Sequence, residues 1–216
     1  MARPVSPRAL RMRLRIAQAA ARLIAEHGLS DWRAAKRKAC RELGLPEDES
    51  LPANDEVEQA LRDYNNLFHA ATQPISLRAQ RREAMRWMER FSRWDPVLTG
   101  AVAAGWATEH SEIRLELEAE DAKAVELALV NAGVAYAQAP TPSGEAQAPQ
   151  LRIESPETTV RLVILSPQQR RNRPRRDRPG LTEERLTLPQ LKTLLATEDE
   201  SPATHAATPR PPERSR

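Results

Sequence analysis

The spacing of hydrophobic positions in this 216-residue chain changes near residue 95. Before that point apolar residues recur every three or four positions, as in amphipathic helices. Leu10, Leu14, Ala17, Ala20 or Ala21, and Ile24 form one stripe, opened by Pro7 and closed by Gly28. Ser30 is a good N-cap for a second helix reaching Leu43, with Gly44 and Pro46 as stop signals. Asn54 caps a third, whose stripe is Val57, Leu61, Tyr64, Phe68 and Ala71. Gln73-Pro74 interrupts the pattern. Ser76 then starts a fourth helix with Leu77, Ala84, Met85, Met88 and Phe91 facing inward.

Beyond Asp95-Pro96 the period shortens. Residues 96–102 are apolar and end in a glycine-containing turn. The segment EIRLELEA, residues 112–119, alternates strictly: Ile113, Leu115, Leu117 and Ala119 on one face, Glu112, Arg114, Glu116 and Glu118 on the other. Such alternation predicts a half-buried strand, with the Glu/Arg face in solvent. Asp121 caps a helix through Ala132, closed by Gly133, and residues 134–137 are a candidate strand. Residues 139–149 read as a flexible loop. Leu151 to Glu154 and Thr159 to Leu165 read as strands joined by a hairpin. After Pro167 arginine and proline dominate, so no packed core is expected there; residues 186–195 suit one short helix, and disorder is expected from about Thr197. The reading is an α+β fold: a helical region over residues 1–75, a small mixed-sheet core over 76–167, and a basic, largely disordered tail over 168–216.

Composition narrows the class. Charged residues make up 29% of the chain and no apolar run approaches the ~20 residues a bilayer requires. The basic N-terminus lacks the apolar stretch of a secretion signal. A lone cysteine, Cys40, cannot form an internal disulfide. Together these point to a cytoplasmic protein without a membrane partner. The net charge is only +3, so its distribution matters more than its sum. Arg33, Lys36 and Arg37 form a basic patch on the second helix, and Arg170, Arg171, Arg173, Arg175 and Arg176 form another in the tail. Both are candidate nucleic-acid contacts of the salt-dependent, phosphate-directed kind. The plainer account is a solvated helix face and a solubilising tail.

Residues 98–118, LTGAVAAGWATEHSEIRLELE, carry a more specific signal. They resemble the signature of the polymerase-beta-type nucleotidyltransferase superfamily, in which a strand enters a Gly-Ser turn, passes a short helix and emerges as a strand beginning Ser-Asp-x-Asp. Gly100-Ala101 stands where Gly-Ser is expected, Gly105 where a second glycine is common, and Ser111-Glu112-Ile113-Arg114 where Ser-Asp-x-Asp is expected. The wider string RIAQAAARLIAEHGLSDWRAAKRKA, with LPANDEVEQAL and HSEIRLEL after it, is similar to a group of uncharacterised bacterial proteins described as nucleotidyltransferase-like. The resemblance implies a nucleoside triphosphate as ligand, with Gly100, Ala101, Gly105, Ser111 and Arg114 around it and Mg²⁺ held by carboxylates.

Departures from that pattern bear on the chemistry. Ala101 removes a hydroxyl, and Arg114 places a fixed positive charge where the second metal ligand is expected. Glu112 and Glu116 are then the catalytic and metal-ligand candidates, with Mg²⁺ as cofactor if the site is active; Glu154 is the nearest candidate for a third carboxylate. The expectation is a catalytically degenerate nucleotidyltransferase fold binding a nucleotide or phosphorylated ligand between Gly100 and Glu112. The alternative is a nucleic-acid-associated protein acting through its basic helix and arginine-rich tail.

Overall fold

Three helices build the N-terminal layer: α1 (Pro7–His27), α2 (Trp32–Glu42) and α3 (Asn54–Phe68). The computed structural model describes residues 7–29, 31–46, 51–139, 148–172 and 185–200. Ala17, Ala20, Ala21, Ala35 and Ala39 are fully buried, and these short side chains let the three helices approach closely around Ile16, Leu23, Cys40, Val57 and Leu61. Asp31 caps α2 by accepting the Arg33 and Ala34 N–H groups; Ser30, the expected cap, lies outside the described residues. Leu10, Leu14 and Phe68 were expected inward but are exposed, because the α1 and α3 stripes extend past the small core.

Helix α4 (Gln73–Arg90) starts at Gln73 rather than Ser76. Pro74 opens it instead of breaking it, since a first-turn residue has no intrahelical use for its N–H. A 3₁₀ turn, Ser92–Trp94, leads into the sheet. The further elements are β1 (Val97–Thr99), α5 (Ala101–Ala104), β2 (Ile113–Glu118), α6 (Ala122–Asn131), β3 (Ala137–Gln138), β4 (Gln150–Ile153), β5 (Val160–Leu165), α7 (Pro167–Arg171), β6 (Arg185–Thr187) and α8 (Leu188–Glu200).

The six strands form one mixed sheet in the order β3-β4-β5-β2-β1-β6. Strand β2 pairs antiparallel with β1 and parallel with β5, with Ile113 opposite Val160 and Leu117 opposite Ile164. One face carries Leu98, Ile113, Leu115, Leu117, Leu162 and Ile164 into the main core. Helices α4, α5, α6 and α8 supply the other side, through residues such as Met88, Val102, Leu129 and Leu191. The fold is thus α+β, as expected from the sequence. Among the described residues no helix is long and apolar enough to cross a membrane.

The region after Pro167 is corrected in part: the short helix expected over 186–195 is present as α8, but the segment joins the packed core. Strand β6 extends the sheet beside β1, and Leu191 and Leu195 of α8 are core residues. The arginine- and proline-rich composition of the preceding segment obscured this pattern. Helix α8 is held to α4 by Arg81–Glu198, Arg78–Asp199 and Arg82–Asp199 pairs and by Lys192–Glu89 at 2.6 Å. Residues 173–184 and 201–216 of the expected tail lie outside the described residues.

Leu191→Ala empties a fully buried site in the main core. It should cost about 2–5 kcal/mol of stability, read by chemical denaturation; a loss indistinguishable from zero would mean that α8 does not hold the sheet.

Candidate functional site

The sheet's second face is a lattice of charge. Strand register sets Arg152 beside Arg161, Arg161 beside Arg114, Arg114 beside Thr99, and Thr99 beside Arg185. Because residues opposite one another on paired strands point to the same face, these five side chains form one transverse row across β4, β5, β2, β1 and β6. Glutamates hold the guanidinium groups. Arg161 grips Glu112 with both arms, Nε to Oε2 at 2.7 Å and Nη2 to Oε1 at 3.1 Å, and also donates to Gln150 Oε1 at 3.2 Å. Arg185 meets Glu116 at 2.8 Å, Arg152 meets Glu154 at 2.9 Å, and Arg170 of α7 meets Glu118 at 3.3 Å.

Glu116 is 0% exposed, so this face is not the solvated ladder that alternation alone suggests. Gln150, Val97 and Val163 are buried on it as well.

Gly100 follows Thr99 directly, at the end of β1. Its φ of 73° and ψ of −153° lie where only glycine is at ease, and nothing stands within 4 Å of where a Cβ would project. The chain therefore turns sharply beside open space, next to the arginine row. Ala101 begins α5 and packs toward the main core. Gly105 ends α5 at φ 86°, and an added Cβ would sit 3.4 Å from Arg81. Ser111 turns its Oγ inward to accept the Thr108 N–H at 2.9 Å. The structure thus gathers Gly100, Arg114 and Glu112 around one edge of the sheet, with Ala101, Gly105 and Ser111 shaping the connection.

What sequence reasoning missed is how that connection is fixed. The carbonyls of Gly105, Trp106, Ala107 and Thr108 accept from side chains of α3 and α4. Asn65 donates to Trp106 O at 3.1 Å, Gln73 to Gly105 O and Ala107 O at 3.2 and 3.0 Å, and Gln80 to Thr108 O at 2.9 Å. Arg81 donates to Val102 O at 3.2 Å. Buried amides facing an irregular segment satisfy carbonyls that no helix or strand can. The sequence signal was the presence of Asn65, Gln80 and Arg81 on the apolar sides of their helices.

Glu83 anchors the other side. It accepts from Ser155 of the β4–β5 loop, from Arg86, and from Trp87 Nε1 at 2.8 Å. Burial raises its carboxyl, but the bonds from Ser155, Arg86 and Trp87 outweigh that and hold it below the ordinary 4.5.

The donor set does not fit Mg²⁺. Glu112 is engaged at both oxygens by Arg161, and Glu116 is buried against Arg185. They stand four residues apart on one strand, roughly 13 Å, whereas ligands of one Mg²⁺ all lie about 2 Å from it. Arg114 and Arg161 occupy the positions between them and beside them. Among the described residues no group of three His, Cys, Asp or Glu could hold a metal ion.

The basic helix patch divides. Arg33 and Arg37 are exposed, but Lys36 is 8% exposed and donates to Asn54 Oδ1 at 2.7 Å, so it faces α3 rather than solvent. Burial lowers its pKa, against the opposing pull of Glu56 and Asp55. Arg170 and Arg171 lie in α7, with Arg170 turned to Glu118 and to the Asp95 carbonyl. Arg173, Arg175 and Arg176 lie outside the described residues.

Two variants test this framework. Gln80→Leu removes the side-chain donor to the Thr108 carbonyl and leaves it only the Ser111 N–H, at a cost of about 0.5–1.5 kcal/mol, with faster amide exchange expected in residues 105–111; unchanged exchange would show that the connection is fixed by other means. Because the Glu83 carboxyl is held low in the folded chain, its stabilisation is present above about pH 4.5 and lost as pH falls through the lower folded value. The stability gap between wild type and Glu83→Gln should therefore shrink on acidification, and a constant gap would contradict the charge-assisted role. No family model matches this chain, and no curated protein matches it.

Proposed function

We propose that this chain is a nucleotidyltransferase-fold protein without metal-dependent catalysis, whose arginine row beside the Gly100 turn binds a phosphorylated ligand, a nucleoside triphosphate in the first instance. The observation that carries the reading is the pairing of Arg114 with Arg161 on adjacent parallel strands, next to Glu112. Cationic side chains stand where a catalytic member of that fold would gather carboxylates around metal ions. Guanidinium groups deliver the same positive charge without a metal, and their planar fork suits phosphate oxygens.

The topology supports the same reading. A short strand enters a glycine turn, passes a one-turn helix and returns as a strand antiparallel to the first, and that strand pairs in parallel with a later one. Among the described residues of this face, Arg114, Arg152, Arg161, Arg170 and Arg185 stand among Glu112, Glu116, Glu118 and Glu154, so guanidinium groups border the Gly100 turn. The glutamates hold the guanidinium groups in fixed orientations, so a ligand meets a preorganised array. Nucleic-acid retention through Arg33 and Arg37 is the competing reading.

Calorimetric titration with ATP, CTP, GTP and UTP, each with and without Mg²⁺, tests this. Binding should not require Mg²⁺ and should weaken with added salt. Arg114→Ala should weaken it by roughly tenfold or more, the loss of one charge-assisted contact. Binding that appears only with Mg²⁺ and is lost in Glu112→Ala would overturn the metal-free reading. Absence of binding to all four nucleotides would direct attention to the exposed arginines of α2.

A further inference from the structure

We propose that the groove between α1 and α3 is the interface of a two-fold symmetric dimer of this chain. The inference is independent of the ligand reading and rests on a different part of the molecule.

The groove measures about 810 Å³. Its floor and walls are apolar: Leu10, Leu14, Ala17, Tyr64, Leu67 and Phe68. Four of these are large side chains left in solvent, Leu10 at 59%, Leu14 at 56%, Leu67 at 73% and Phe68 at 61% exposure. They continue the same stripes that pack α1 on α3 deeper in the helical layer, and among the described residues only Glu42 and Leu43, at the end of α2, also border the groove. The Tyr64 and Phe68 rings lie 4.6 Å apart and form a firm wall. A contiguous patch of this kind with a charged rim marks an association surface.

Charge selects the occupant. Helix α1 is basic along its exposed side, with Arg8, Arg11, Arg15 and Arg22, whereas α3 carries Asp55, Glu56, Glu58 and Asp63 against one arginine. Arg11 and Arg22 stand on the α1 side of the groove, and Glu56 and Asp63 on the α3 side. Inside the chain this complementarity is already used once, between Arg13 and Glu56. Arg22 is taken by Glu42 at 3.0 Å. Arg11 and Asp63 have no ion-pair partner among the described residues; Asp63 accepts only from Gln59, at 2.9 Å.

An isologous interface places one surface against its own rotated copy. A surface with one basic and one acidic wall is complementary to itself when α1 of one copy lies over α3 of the other. The Arg11 of each copy then meets the partner's Asp63, and the two leucine pairs close over the two aromatic walls in a four-helix arrangement. Stacking α1 on its symmetry mate would oppose like charges instead.

Sedimentation velocity on the full chain, over a wide concentration range, should show a reversible monomer–dimer equilibrium. Leu14→Glu should shift it to monomer while the far-ultraviolet circular dichroism, and the thermal midpoint at concentrations too low for dimer, stay those of wild type, since the side chain is exposed in the monomer. A charge exchange tests the geometry. Arg11→Glu and Asp63→Arg should each weaken self-association at least tenfold, because each homodimer then opposes two like pairs. An equimolar mixture of the two variants should associate again, because both contacts are then restored between unlike chains. A wild-type chain that stays monomeric throughout would overturn the proposal, including one whose groove is covered by its own residues 201–216 or by another protein. So would a dimer indifferent to Leu14→Glu, or a mixture that associates no better than its components.

Discussion

The parallel pairing of β2 with β5 is the constraint on which the rest of the molecule turns. Its six-residue register sets Ile113, Leu115 and Leu117 against Val160, Leu162 and Ile164 on one face. The same register sets Arg114 beside Arg161 and Glu116 beside Val163 on the other. A slip of one residue would put both arginines into the core and the aliphatics under the charged lattice. The hydrophobic core and the arginine row are therefore specified by one alignment, and neither can be altered without the other.

Much of this was legible in the chain because the period of β2 is strict. EIRLELEA alternates without a break, and Asp121 and Gly133 mark the ends of α6 as a cap and a left-handed terminus should. What stayed hidden depends on neighbours that sequence spacing does not reveal. Nothing in residues 112–118 says that Glu116 will be fully buried, because burial of the second face depends on what packs there. Arg161 gave no sign of its role until register placed it beside Arg114. Strand β6 escaped notice because three residues following an arginine- and proline-rich stretch carry too little pattern; the short helix expected over 186–195 is present as α8, but its packing of Leu191 and Leu195 into the main core was not foreseen. The exposed ends of the α1 and α3 stripes show the converse: periodicity identifies an apolar face but not what meets it.

The glycine turn illustrates how irregular backbone is kept in place. Between Gly100 and Ile113 only one helical turn is regular, so most carbonyls there lack partners in a helix or a strand. The chain supplies them from Asn65, Gln73, Gln80 and Arg81, residues from two helices that precede the turn in sequence. A loop merely linking two strands could reach solvent and be satisfied by water. This one is bound to α3 and α4 by Asn65, Gln73 and Gln80. For the ligand proposed above, such fixing would present groups already in place.

The lattice on the second face raises a last question of energetics. Burying ion pairs seldom stabilises a fold more than well-packed hydrophobic residues of similar size, because desolvation offsets most of the attraction. Val163 and Leu165 show that this face accepts aliphatics where nothing else is required. Stability alone would therefore be served as well by extending that apolar patch across β2 and β1. Instead the chain holds Arg161 with two bonds to Glu112, backs it with buried Gln150, and sets Arg114 at its side. Such an arrangement fixes the direction of guanidinium groups at the edge of the glycine turn. The needs of folding do not account for that direction; the anion recognition proposed above would.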